Sequence, residues 1–97
     1  MQASVKSPAR HSKARHQPAN LVELRAGEHG VLERLDLPQD IARRLMELGF
    51  LPGYPVTAAH SAPGGDPRVF RVDGSEIALR RETARHLKLR QQPIAAD

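Results

Sequence analysis

A chain of 97 residues without cysteine builds one modest core, burying about 60–65% of its unfolded surface, and excludes a disulfide framework, a thiolate zinc site and a cysteine nucleophile. Its apolar stretches run to a few residues, far below the roughly 20 of a membrane helix, and no apolar core follows the basic N-terminus as a secretory signal requires; a cytoplasmic protein that does not enter a membrane by itself is expected. The net charge of +4 resides in residues 1–20, where Lys6, Arg10, Lys13 and Arg15 stand without an acid, while residues 21–97 hold 11 basic and 11 acidic side chains, so the basicity belongs to the tail and not to the domain.

Residues 1–20 have Val5 as their only large apolar side chain and cannot offset their chain entropy by burial, which predicts a disordered basic tail. Its His11 and His16 are isolated imidazoles on a tether, poor ligands for a metal. The ordered domain is expected over 21–91, opening on the apolar patch Leu21, Val22 and Leu24. The segment GVLERLD reads as a first strand of irregular pattern, with Val31, Glu33 and Leu35 on one face and Leu32 and Arg34 on the other.

From Leu37 the apolar period changes to near 3.6. Leu37, Ile41, Leu45 and Leu48 fall on one stripe, widened by Ala42 and Met46 and opposed by Arg43, Arg44 and Glu47, which predicts a helix of about three turns. Pro38 and Asp40 suit its start, and Gly49 can take the left-handed conformation that ends it, with Phe50 and Leu51 folding back. Leu51-Pro52-Gly53-Tyr54 has the residues of a type II turn. A strand over 55–61 follows, with Pro55 confined to its first position.

The loop SAPGGDP leads to strands over 69–72 and 76–80 around Asp73-Gly74, the signature of a type I′ hairpin. Residues 81–86 read as one helical turn, 87–90 as a last strand with Leu87 and Leu89 inward, and 92–97 as a frayed end. Five short strands with one helix suit an all-β fold, a small closed or partly closed barrel in which closure removes unpaired edges.

Chemistry is sparse in this pattern. Ser61, Ser75 and Thr83 lack a triad signature, and Gly64-Gly65 lacks the Gly-Lys-Ser/Thr of a phosphate loop, so no enzyme is expected. Glu47, His60, Asp66 and His86 are of types that Fe(II) accepts, but they match no compact ligand motif. They are weak candidates for a protein that senses or carries Fe(II) itself, an alternative reading. A third reading, a basic nucleic-acid-binding barrel, would use the cluster Arg80, Arg81, Arg85, Lys88 and Arg90. The neutral domain and its few aromatic residues, Phe50, Tyr54 and Phe70, argue against nucleic acid as a partner.

The run Arg44-Leu45-Met46-Glu47-Leu48-Gly49-Phe50-Leu51-Pro52-Gly53, then Gly65-Asp66-Pro67, then Gly74 and Ile77-Ala78-Leu79-Arg80-Arg81 with Ala84, resembles the FeoA family in order and spacing across residues 21–90. The resemblance implies an SH3-like barrel with a helix inserted between its first two strands. It further implies a non-enzymatic cytosolic accessory of ferrous iron uptake, without a tightly held cofactor, whose partner is the GTPase-bearing part of a FeoB-like transporter. On this basis the expected partner-binding residues are Leu45, Leu48, Gly49, Leu51, Pro52, Gly53 and Tyr54, with Gly65, Asp66 and Pro67 beside them as an apolar groove. Where the chain departs from the family, in the basic tail and the Arg-rich last strand, loose contact with an anionic membrane surface is expected at about 1 kcal/mol per basic residue.

Overall fold

The computed structural model describes residues 16–91; the expected tail up to residue 15 and the expected frayed end 92–97 lie outside the described residues. In chain order the elements are a 3-10 turn Leu21–Glu23, β1 His29–Leu35, α1 Gln39–Glu47, β2 Pro55–Ser61, a second 3-10 turn Pro63–Gly65, β3 Arg68–Val72, β4 Ser75–Leu79, the single turn α2 Arg81–Ala84, and β5 Leu87–Leu89. The five strands form one antiparallel sheet in the order β4-β3-β2-β1-β5. It wraps a single core to which Leu21, Leu24, Leu32, Leu45, Phe50, Val56, Ala58, Phe70, Val72, Leu79, Ala84, Leu87 and Leu89 contribute.

Strand β1 joins the two halves. His29, Gly30 and Val31 pair with β2, whereas Leu32, Arg34 and Leu35 pair with β5, with a bulge between Leu32 and Arg34. An extra residue in a strand changes which way its neighbours face. Strict alternation put Leu32 opposite Val31 and Leu35; in the structure Leu32 is the fully buried residue, and Val31 and Leu35 are only half-buried. A second bulge, between Ala58 and His60 of β2, follows the buried Val56 and Ala58 and turns His60 outward.

Helix α1 ends as its Gly49 demands. Gly49 has φ +117°, its N–H donates to the Met46 carbonyl at 3.0 Å, and the Phe50 N–H donates to the Leu45 carbonyl at 3.1 Å. This pair of bonds is the Schellman closure, and the apolar contact that accompanies it is made by Phe50 and Leu45, both in the core. Gly49→Ala forces a side chain into a left-handed backbone and is expected to cost about 1–2 kcal/mol, read as a lowered midpoint of thermal unfolding; an unchanged midpoint would refute this account of the cap.

The apolar stripe of α1 is only partly used. Ala42 and Leu45 are buried and Leu37 packs against the core, but Ile41 is 42% and Leu48 48% exposed. The helix leans on the barrel by its middle and shows both shoulders to solvent.

Order also begins earlier than Leu21. The Asn20 side chain accepts from the Val22 N–H at 2.9 Å and caps the first 3-10 turn. The Ala19 carbonyl accepts from the Leu89 N–H, Asn20 bridges to Lys88, and the Gln91 side chain donates to the Pro18 carbonyl. His16 reaches the Glu28 carboxylate at 2.9 Å. The Arg25 backbone N–H, assisted by His16, holds that carboxyl below its ordinary range. Residues 16–20 thus belong to the described part of the chain, and the backbone of Ala19 and Asn20 covers the free edge of β5, a contact that composition does not weigh.

Candidate functional site

The corner after α1 is pinned from both sides. The Tyr54 N–H donates to the Leu51 carbonyl at 3.0 Å and Gly53 has φ +90°, the geometry a type II turn requires. The Gly53 N–H then donates to the Leu32 carbonyl at 2.7 Å, and the Leu32 N–H donates to the Tyr54 carbonyl at 3.0 Å. Behind the corner the end of α1 sits on the β3–β4 hairpin: a Cβ at Gly49 would lie 3.5 Å from the Asp73 Cβ and 3.6 Å from the Val72 methyls. That hairpin turns through Asp73 at φ 52° and Gly74 at φ 80°, the two positive angles that the Asp-Gly pair is suited to.

What this rigid corner displays is apolar. Among the described residues the large apolar side chains left exposed are Ile41, Leu48 and Tyr54, the last by 55%, and all three lie on α1 or the corner. Ile41 and Leu48 are two helical turns apart and so on one face, with Leu51 half-buried beside them. Leu45, named with them in the sequence, is 6% exposed and serves as their support.

The Gly65-Asp66-Pro67 loop does not join this surface. It follows the far end of β2, whose seven residues begin right after Tyr54 and span about 20 Å. Asp66 Oδ1 accepts from the Arg81 backbone N–H at 3.0 Å, so its carboxylate anchors the first residue of α2. The resemblance gave the order of the two motifs along the chain, with the strand over 55–61 between them, but not their relative positions in space.

The metal candidates are likewise dispersed. His60 lies 3.9 Å from Glu76, whose other carboxylate oxygen accepts from Arg71 at 2.8 Å; that hydrogen bond chiefly holds the Glu76 carboxyl below its ordinary range. Asp66 is bound to α2, Glu47 is exposed in the last turn of α1, and His86 is half-buried after α2. Among the described residues no three His, Cys, Asp or Glu side chains come together in a group that could hold a metal ion.

Sequence reasoning passed over Arg68. It is 7% exposed, its Nη1 donates to the Val22 carbonyl at 2.7 Å, and its guanidinium carbon sits 5.6 Å from the centre of the Phe70 ring. Burial first, and the nearby Arg81 second, lower its pKa from the ordinary value. The only available signal was its position two residues before Phe70, on the same face of β3.

One antiparallel sheet wrapped around a single core, with a helix inserted after β1, defines a small SH3-like domain. Residues 19–91 match the FeoA domain, and the chain belongs to the FeoA family. It is 32% identical over 69 residues to the Fe(2+) transport protein A/Fe(2+) transporter FeoB fusion protein of Porphyromonas gingivalis, a match covering 71% of this chain and 8% of that protein. The chain thus spans a small fraction of that relative. The solution structure of iron(II) transport protein A from Clostridium thermocellum superimposes with a TM-score of 0.69 at 28% identity, over 74% of this chain and 44% of that one. FeoA of Stenotrophomonas maltophilia, solved with zinc and described as a prokaryotic SH3 domain protein proposed to activate ferrous iron transport, gives a TM-score of 0.63 at 32% identity over 75% and 91% of the two chains. Among the described residues no helix is long and apolar enough to cross a membrane.

Proposed function

We propose that this chain is a non-enzymatic accessory of ferrous iron uptake that docks on the cytoplasmic part of a FeoB-like transporter through the exposed face of α1 and the Leu51–Tyr54 corner, and modulates its activity. The observation that carries the reading is that the large apolar side chains left exposed among the described residues, Ile41, Leu48 and Tyr54, all lie on α1 or on the rigid corner that follows it. A helix face presenting residues two turns apart is a common way for one protein to seat on another. The occupant is suggested by the P. gingivalis relative, in which a FeoA part and a FeoB part share one polypeptide. Fe(II) in this reading is the cargo of the transporter, and the chain performs no chemistry on it.

The test is capture of the purified chain by the cytosolic domain of a FeoB-like transporter. Leu48→Asp is expected to weaken binding at least about tenfold, because an anchor side chain is worth about 1–2 kcal/mol or more at an interface. The half-exposed position predicts a change in stability within about 0.5 kcal/mol. Binding that survives both Leu48→Asp and Leu51→Asp in folded protein would remove the corner as the docking surface.

A further inference from the structure

Charge in the folded part is distributed unevenly. Residues 16–79 carry six basic and nine acidic side chains, whereas residues 80–91 carry Arg80, Arg81, Arg85, Lys88 and Arg90 against the lone acid Glu82. Pairing in the sheet concentrates this further. Lys88 stands opposite Arg34 in the β1–β5 ladder, a juxtaposition of like charges that destabilises a sheet. The Lys88 ammonium donates to the Arg85 carbonyl at 3.2 Å, which draws it to the end of α2. Arg34, Arg80, Arg81, Arg85 and Arg90 are exposed, and among the described residues none of these six cations is in an ion pair with a carboxylate.

The same edge receives the start of the described chain. Ala19 and Asn20 lie along β5 through the Leu89 N–H and the bridge to Lys88, and bring no acidic side chain to it.

We propose that this edge, α2 and β5 with Arg34 beside them, rests on the surface of an anionic lipid bilayer. Phosphate headgroups are recognised by unpaired guanidinium and ammonium groups without a fixed geometry, and each basic residue near the surface contributes about a fivefold gain in partitioning, attenuated by salt. The edge lacks what a single-stranded nucleic acid would seek: Phe50 and Phe70 are fully buried, and the exposed Tyr54 belongs to the corner on the opposite side of β1, so no ring is available there for stacking. The choice of a bilayer rests on the proposed role beside a membrane transporter; vesicles free of any transporter keep the two claims separable, since failure to bind lipid leaves transporter capture untouched.

The experiment is co-sedimentation of the full chain with vesicles of equimolar phosphatidylcholine and phosphatidylglycerol, against pure phosphatidylcholine, at low and physiological salt. Binding to the anionic vesicles alone, weakening as salt rises, is expected. The triple variant Arg80→Glu, Arg85→Glu, Arg90→Glu is expected to lower partitioning at least about tenfold. A charge-matched triple on other surfaces, Arg25→Glu, Arg43→Glu, Arg44→Glu, is expected to lower it less than about threefold. If the first triple is misfolded by circular dichroism, Arg85→Gln with Arg90→Gln replaces it, with a loss of at least about threefold expected. Equal losses from the edge variant and the matched variant, absence of binding to anionic vesicles, or tighter binding to a single-stranded RNA at the same salt would each overturn the proposal.

Discussion

Phe50→Ala is expected to leave the domain only marginally stable at room temperature. Phe50 is fully buried and is the residue through which the closing turn of α1 reaches the core. Truncating a buried phenylalanine costs about 3–5 kcal/mol, against a total stability that for a domain of this size stands near the low end of about 5–15 kcal/mol. Urea denaturation should show the midpoint falling towards zero denaturant. Leu48→Asp, two residues earlier, should leave the midpoint nearly unchanged. The contrast between these neighbours is the sharper test: similar losses from both would mean that the corner is part of the core and not a surface.

Arg68→Ala is expected to rank next, with a loss of about 2–4 kcal/mol. The variant removes the aliphatic stem packed at the start of β3, removes the cation over the Phe70 ring, and leaves the Val22 carbonyl without its donor. Arg68→Met restores the apolar volume and relieves the burial of charge, so it should lose only about 1–2 kcal/mol, chiefly the unpaired carbonyl. The difference between the two midpoints isolates packing from hydrogen bonding. A methionine variant as stable as the original protein would show that the bond to Val22 contributes nothing, and would sink the view that Arg68 clasps the first 3-10 turn to the sheet.

Where the physics was local, the sequence was readable. Pro55 cannot donate to a ladder and Asp73-Gly74 favours positive angles, so both β2 and the β3–β4 hairpin fell where expected; Gly49 ended α1 for the same kind of reason. The core positions of Leu87 and Leu89 followed from alternation. What escaped depended on partners distant in sequence. The bulge after Leu32 is set by how β1 divides itself between β2 and β5. Ile41 and Leu48 sit on the stripe that helical period assigns to the core, yet the barrel is too small to cover both ends of the helix. Arg68 reads as a surface cation until the Val22 carbonyl, 46 positions away, is brought to it. For the candidate site the corner from Leu48 to Tyr54 was legible because its turn chemistry is local. Its separation from Gly65-Asp66-Pro67 was not, because spacing along a chain carries no direction.

The side-by-side course of Pro18, Ala19 and Asn20 with Leu89 and Gln91 has a mechanical meaning. Since the polypeptide arrives at and departs from the domain at a common point, a covalent tether on either end would hang it from a larger protein in much the same orientation.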